Sequence, residues 1–199
     1  MKSEEVMRIL ENAIRIGKGV IRYGSVASYI PELAKADKNK LGICLYTIDG
    51  NQFETGNTED RFTIQSISKV MALCLALETF GAEFVFNYVG VEPSGEAFNS
   101  LVELDNRSNR PFNPMINSGA ITVASLLVNH YSIEDMQKYM QDVCEDPEIA
   151  VDEAVFQSEM ATCARNKAIA YLLKSKEIID NDVEDSVTFY TKMCSMSVN

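Results

Sequence analysis

With 199 residues, 46% of them hydrophobic and 24% charged, the chain is long enough to bury a substantial core as one domain or two small ones. Its formal net charge of −11 at pH 7 argues against nucleic acid or an anionic membrane as a partner, and a single histidine, His130, without clustered cysteines argues against a zinc site. The five cysteines (Cys44, Cys74, Cys144, Cys163, Cys194) are odd in number and contain no C-x-x-C pair. Four of them sit in apolar contexts, so they read as buried free thiols of a reducing, cytoplasmic protein.

Ser3 can cap a first helix whose first turn holds Glu4 and Glu5, and Val6, Ile9, Leu10, Ala13 and Ile14 recur on one face. This acidic amphipathic start is unlike a signal peptide, and no apolar run reaches membrane-spanning length. Gly17 and Gly19 are expected to end the helix. Pro31 suits the first turn of a further helix, which leaves Tyr29 in the connection before it. Such connections carry binding groups more often than cores do, although locally Tyr29 fits a structural role as well.

Leu41 to Ile48 is apolar on both alternating faces, the pattern of a strand covered on two sides. Asp49-Gly50-Asn51 is a hairpin turn leading to a second strand over Gln52 to Thr55, and a third short strand fits Arg61 to Ile64. Beyond Ile64 the periodicity is helical: about 66–79, 82–89, 117–129, 133–144, 150–158, 160–174 and 183–196, with a long loop over 90–116. Residues 1–64 then form the N-terminal helices and hairpin of an incomplete α/β part. Residues 65–199 form a helical part that carries the chemistry.

Ser66 precedes the most apolar helical segment, and Lys69 one turn later shares its face. A serine needs a base to take its proton, and a lysine serves once a dry pocket lowers its pKa. This is the Ser-x-x-Lys arrangement of serine acyl-transferring enzymes. Alone, the motif fits a capping serine followed by a solvent-facing lysine at least as well, but a lysine opening a buried helix calls for a reason. Asn117 follows the doubly proline-braced run Asn109-Arg110-Pro111-Phe112-Asn113-Pro114 and opens a small-residue helix, where it reads as an N-cap or as a bifunctional amide for a ligand. Glu159 and Asn166, seven apart, share a face if one helix holds both. Together they suit the two charged ends of a free amino acid, or simply a charged helix surface.

The runs Gln65-Ser66-x-x-Lys69, Asn113-Pro114-Met115-Ile116-Asn117-x-Gly119-Ala120, Phe156-Gln157-Ser158-Glu159 and Arg165-Asn166 follow one another in an informative order and spacing. With Tyr29-Ile30-Pro31-x-Leu33-Ala34 and Phe189-Tyr190 followed by Cys194-Ser195, they make the chain resemble the serine-dependent, β-lactamase-like glutaminases along its whole length. The resemblance implies an α+β, mostly helical, β-lactamase- or transpeptidase-like fold lacking the C-terminal strands of the central sheet. It implies hydrolysis of L-glutamine to L-glutamate and ammonia through a Ser66 acyl-enzyme, with Lys69 as base and Tyr29 hydrogen-bonding in the catalytic cluster. Gln65, Asn117, Glu159, Asn166 and Tyr190 would bind substrate, with Glu159 facing its α-ammonium. Neither a metal nor a cofactor is implied, and the expected assembly is a homo-oligomer, a tetramer in relatives.

Relatives continue past the position of Asn199 by about a third of their length, with a further catalytic tyrosine, an oxyanion-hole amide and the missing strands. The 199-residue form is therefore expected to be poorly active, and the competing reading is an impaired fragment acting through binding or self-association. A penicillin-binding or β-lactamase enzyme is a poorer fit, because Ser-Asp-Asn and Lys-Thr-Gly are missing from the sequence.

Overall fold

A computed structural model describes residues 2–95, 97–101 and 110–199. Part of the expected 90–116 loop, with Asn109, lies outside the described residues. The chain divides into two compact units, Met1–Phe62 with Asn199, and Thr63–Val198.

In the first unit, helix α1 (Ser3–Val20) turns Val6, Leu10 and Ile14 inward and packs on strand β2 (Gln52–Gly56). The cap position is Lys2, not Ser3, and Glu4 and Glu5 occupy the first turn, where the helix dipole favours them. The helix runs through Gly17 and Gly19, contrary to the expected stop, and ends at Val20. Gly17 is a packing glycine instead: a Cβ there would lie 2.7 Å from Leu41 Cδ2. Pro31 introduces a short 3-10 turn (Leu33–Lys35), not an α-helix.

Strand β1 (Gly42–Tyr46) pairs antiparallel with β2, from Gly42 opposite Gly56 to Tyr46 opposite Gln52. The turn closes through Thr47 N–H to Asn51 O and Gly50 N–H to Thr47 O, with Gly50 at φ 83°, where a side chain would be strained. The hairpin is a two-stranded sheet, and Leu45, Tyr46 and Ile48 are exposed although their pattern anticipates two covered faces.

The second unit begins at Thr63, the last residue of β3 (Phe62–Thr63), and continues with a 3-10 turn (Gln65–Ile67), α2 (Ser68–Phe80) and α3 (Ala82–Tyr88). Helices α4 (Asn117–Val128) and α5 (Ile133–Cys144) follow, then β4 (Ala150–Val151), α6 (Glu153–Thr162), α7 (Ala164–Ser175), α8 (Val183–Cys194) and β5 (Met196–Val198). The helices stand close to their expected positions. Strands β4 and β5 do not appear in the sequence pattern, because two or three residues are too few to show alternation. They complete a sheet in the order β3-β5-β4, with Ala150 opposite Ser197 and Val151 opposite Met196.

Helix α4 is the axis of this unit. Its residues are apolar or small all round, so it is buried on every side, and it packs against α2, α7 and α8. Ala120, Ile121, Val123, Ala124 and Leu127 are at most 1% exposed. Gly119 makes this seating possible, since a Cβ there would stand 1.9 Å from the Asn113 carbonyl oxygen. Gly119→Ala is expected to cost about 3 kcal/mol of stability; an unchanged urea midpoint would show that the Asn113–Pro114 backbone gives way freely.

Two of the five cysteines, Cys163 and Cys194, are buried, whereas Cys44, Cys74 and Cys144 are exposed, so the expectation of mostly buried thiols fails. Among the described residues no helix is long and apolar enough to cross a membrane.

Candidate active site

Ser66 lies in the 3-10 turn ahead of α2, not in the helix's first turn. Gln65 before it adopts φ 49°, the left-handed region that costs a non-glycine residue about 1–2 kcal/mol. The strain is held from both sides. Gln65 Nε2 donates to Thr63 Oγ1 at 3.1 Å, and the Gln65 carbonyl accepts the Ser68 N–H and, at 2.7 Å, the Ser68 hydroxyl. Ser66 is exposed, and Lys69 one turn later is 3% exposed.

Lys69 is buried where the sequence called for a reason. Its ammonium donates to the Met115 carbonyl at 2.9 Å and to Asn117 Oδ1 at 2.8 Å, and it lies 5.8 Å from the centre of the Phe98 ring. Burial pushes its pKa below the usual lysine value, and nearby Cys194 opposes this.

Asn117 is the hub of the cluster. It is the first residue of α4, and the cap position is Ile116, so the capping reading fails. Its amide accepts from Lys69 and from Tyr190 OH (3.4 Å), and its Nδ2 donates to Asn166 Oδ1 at 3.0 Å. The hydrogen-bonded set Lys69–Asn117–Asn166 with Tyr190 therefore joins α2, α4, α7 and α8. Tyr190 and Asn117 are 3% and 7% exposed.

Glu159 and Asn166 do not share one helix. The chain bends at Cys163 (φ −82°, ψ 15°), placing Glu159 on α6 and Asn166 on α7. Glu159 is 8% exposed, its Oε2 has no hydrogen-bond partner, and burial pushes its carboxyl up to about 7. A buried carboxylate oxygen without a donor is costly, and it is suited to a cationic group brought by a ligand. Its charge also contributes to raising the pKa of Cys194, which puts it in the same neighbourhood as Lys69 and Tyr190.

Six of the expected site residues besides Gln65 are thus Ser66, Lys69, Asn117, Glu159, Asn166 and Tyr190, and all belong to the second unit. Tyr29, exposed at 68%, belongs to the first. The sequence did not point to the Met115 carbonyl, because a main-chain acceptor leaves no mark on residue identity. Nor did it point to Phe98, whose ring faces Lys69 and whose carbonyl accepts the Asn117 N–H at 2.8 Å. Arg165 secures the neighbouring residue, donating from Nε to the Asn99 carbonyl at 2.7 Å.

The fold is α+β and mostly helical, of the β-lactamase-like class in which a Ser-x-x-Lys pair stands at the entrance of a helix. The family model for the glutaminases matches residues 24–199. The chain is 43% identical over 193 residues to a glutaminase of Alkaliphilus oremlandii, covering 95% of this chain and 63% of that protein. It is 43% identical over 194 residues to glutaminase 2 of Clostridium perfringens, covering 96% and 64%. Among solved structures, a probable glutaminase, ybaS, superposes with a TM-score of 0.91 at 32% identity, over 100% of this chain and 65% of that one. A probable glutaminase from Bacillus subtilis, complexed with 6-diazo-5-oxo-L-norleucine, superposes with a TM-score of 0.81 at 33% identity, over 96% and 58%. The chain belongs to the glutaminase family. It spans somewhat under two thirds of the length of the curated relatives it matches.

Proposed function

We propose that this chain carries the acyl-transfer site of an L-glutamine amidohydrolase. Ser66 Oγ attacks the γ-carboxamide carbon while Lys69 takes its proton, and the tetrahedral adduct collapses as that proton passes to the departing ammonia. Water then attacks the γ-glutamyl ester and releases glutamate and free Ser66. Tyr29 assists proton movement. Gln65, Asn117, Asn166 and Tyr190 orient the amino acid, and Glu159 pairs with its α-ammonium. No metal or cofactor takes part in this scheme.

The observation that carries the reading is the state of Lys69: buried, lowered in pKa, and hydrogen-bonded to two neutral acceptors, neither of them a carboxylate. A carboxylate partner would hold the lysine protonated; neutral acceptors let it lose its proton and act as a base. Ammonia release from L-glutamine by the purified protein tests the proposal. No release, or release that survives loss of the Ser66 hydroxyl, would sink it.

Asn117→Asp supplies a sharper check. It sets a carboxylate where Oδ1 now stands 2.8 Å from Nζ. The lysine pKa should rise, and the acid limb of the pH–rate profile should move to higher pH. An acid limb that stays in place would remove Lys69 from the role of base.

The reading extends to a homotetramer working in the cytoplasm. All five cysteines are free, which suits a reducing compartment. Sedimentation of the purified protein measures the assembly.

A further inference from the structure

Cys194 ends α8 at 2% exposure, and no role above makes use of it. Its Sγ lies 3.4 Å from Ser68 Oγ, and Ser68 is itself fully buried. The Ser68 hydroxyl has one proton, which it gives to the Gln65 carbonyl at 2.7 Å. A lone pair of Ser68 therefore faces the sulfur, so in this contact the thiol is the donor, while Tyr190 is a second hydrogen-bond partner of the same sulfur. Gln65 is the residue held at φ 49°, directly before Ser66. The carbonyl at the end of the relay thus belongs to the strained peptide from which the nucleophile emerges.

We propose that Cys194 is a positioning residue for the nucleophile: its thiol donates to Ser68, Ser68 donates to the Gln65 carbonyl, and the relay holds Gln65 in the left-handed conformation that aims Ser66. The proposal rests on the reading of Ser66 as nucleophile. Two features of the surroundings support it. Burial pushes the thiol up to about 12, so it stays protonated and remains a donor through the neutral range. A neutral thiol also places no anion beside Lys69, which a base must avoid. The contact spans 126 positions in the chain, so α8 fixes the geometry of a turn that its own local sequence disfavours.

The test follows the covalent modification of Ser66 by 6-diazo-5-oxo-L-norleucine, read by intact mass and peptide mapping over a range of concentrations. Cys194→Ala should lower the maximal rate of modification about ten-fold and leave the half-saturating concentration unchanged, since aim is lost and binding is not. Cys194→Ser, which keeps a donor at the same place, should restore the rate to within about two-fold. Ser68→Ala should reproduce the loss, and combining it with Cys194→Ala should add little, because both cut one relay. Rates that do not differ among the wild type and these variants would overturn the proposal and leave the glutaminase reading standing. A loss that Cys194→Ser fails to restore would mark Cys194 as packing only and would overturn it too.

A wild-type protein that is not modified at Ser66 would overturn the functional reading instead. The relay is then decided by crystal structures of the wild type and Cys194→Ala. Gln65 leaving the left-handed region in the variant supports it, and Gln65 unchanged there refutes it.

Discussion

Ser66→Ala and Lys69→Ala should each reduce ammonia release from glutamine by about 10,000-fold, and the double variant should be scarcely worse than either single one. The argument is that the two side chains perform one act. Without the lysine the serine keeps its proton and is a poor nucleophile, and without the serine the lysine has no proton to take. Single-turnover assays with protein in excess over labelled glutamine give the sensitivity this comparison needs. Losses that multiply in the double variant would mean that the residues contribute separately, and the shared proton transfer would be abandoned. Lys69→Ala also removes a donor from Met115 and Asn117, so its fold should be checked by circular dichroism.

Glu159→Gln should raise the Michaelis constant for glutamine by about 100-fold while increasing stability above neutral pH. Both effects follow from a buried carboxyl titrating at about 7 instead of near 4.5. The folded state holds this proton more tightly than the unfolded chain does. The carboxyl therefore costs nothing below pH 4.5, and it destabilises the fold progressively as pH rises through about 7. At roughly 1.4 kcal/mol per unit the cost reaches about 3 kcal/mol. Gln removes that cost, so chemical denaturation at pH 8 should show a more stable variant. An incoming α-ammonium acts in the opposite sense and favours the ionised form, so glutamine binding should tighten with pH through about 7 and release a proton. The variant should lose that pH dependence. Glutaramate, which lacks the α-amine, should discriminate little between the two proteins. If Gln weakens glutamine and glutaramate equally and also destabilises the fold, Glu159 is a structural residue.

The helices were legible because each carries a long apolar stripe or an apolar run that outlasts a strand. The hairpin was legible because Asp49-Gly50-Asn51 has few other conformations open to it. Strands β4 and β5 were hidden by their brevity, and Gly17 misled because a glycine that admits a neighbouring leucine looks the same in sequence as one that ends a helix. At the site, Ser66, Lys69, Asn117, Glu159, Asn166 and Tyr190 could be named because their motifs resemble, in order and spacing, those of the glutaminases. What the pattern lacked was orientation. That Asn117 turns its amide to Lys69 instead of capping α4, or that a bend at Cys163 separates Glu159 from Asn166, depends on packing among helices far apart in sequence.

The amide of Asn117 also sets a clock on the molecule. Asparagine followed by serine, as in Asn117-Ser118, is prone to spontaneous deamidation in flexible chains, where the following backbone nitrogen can reach the side-chain carbonyl. Here the loss of one ammonia molecule would install beside Lys69 the carboxylate that a base cannot tolerate. The first turn of α4 keeps that nitrogen from the geometry the ring closure needs, and burial keeps water away. The packing of α4 therefore preserves the chemical identity of the hub over the protein's lifetime, and partial unfolding would age the site well before it aged the fold.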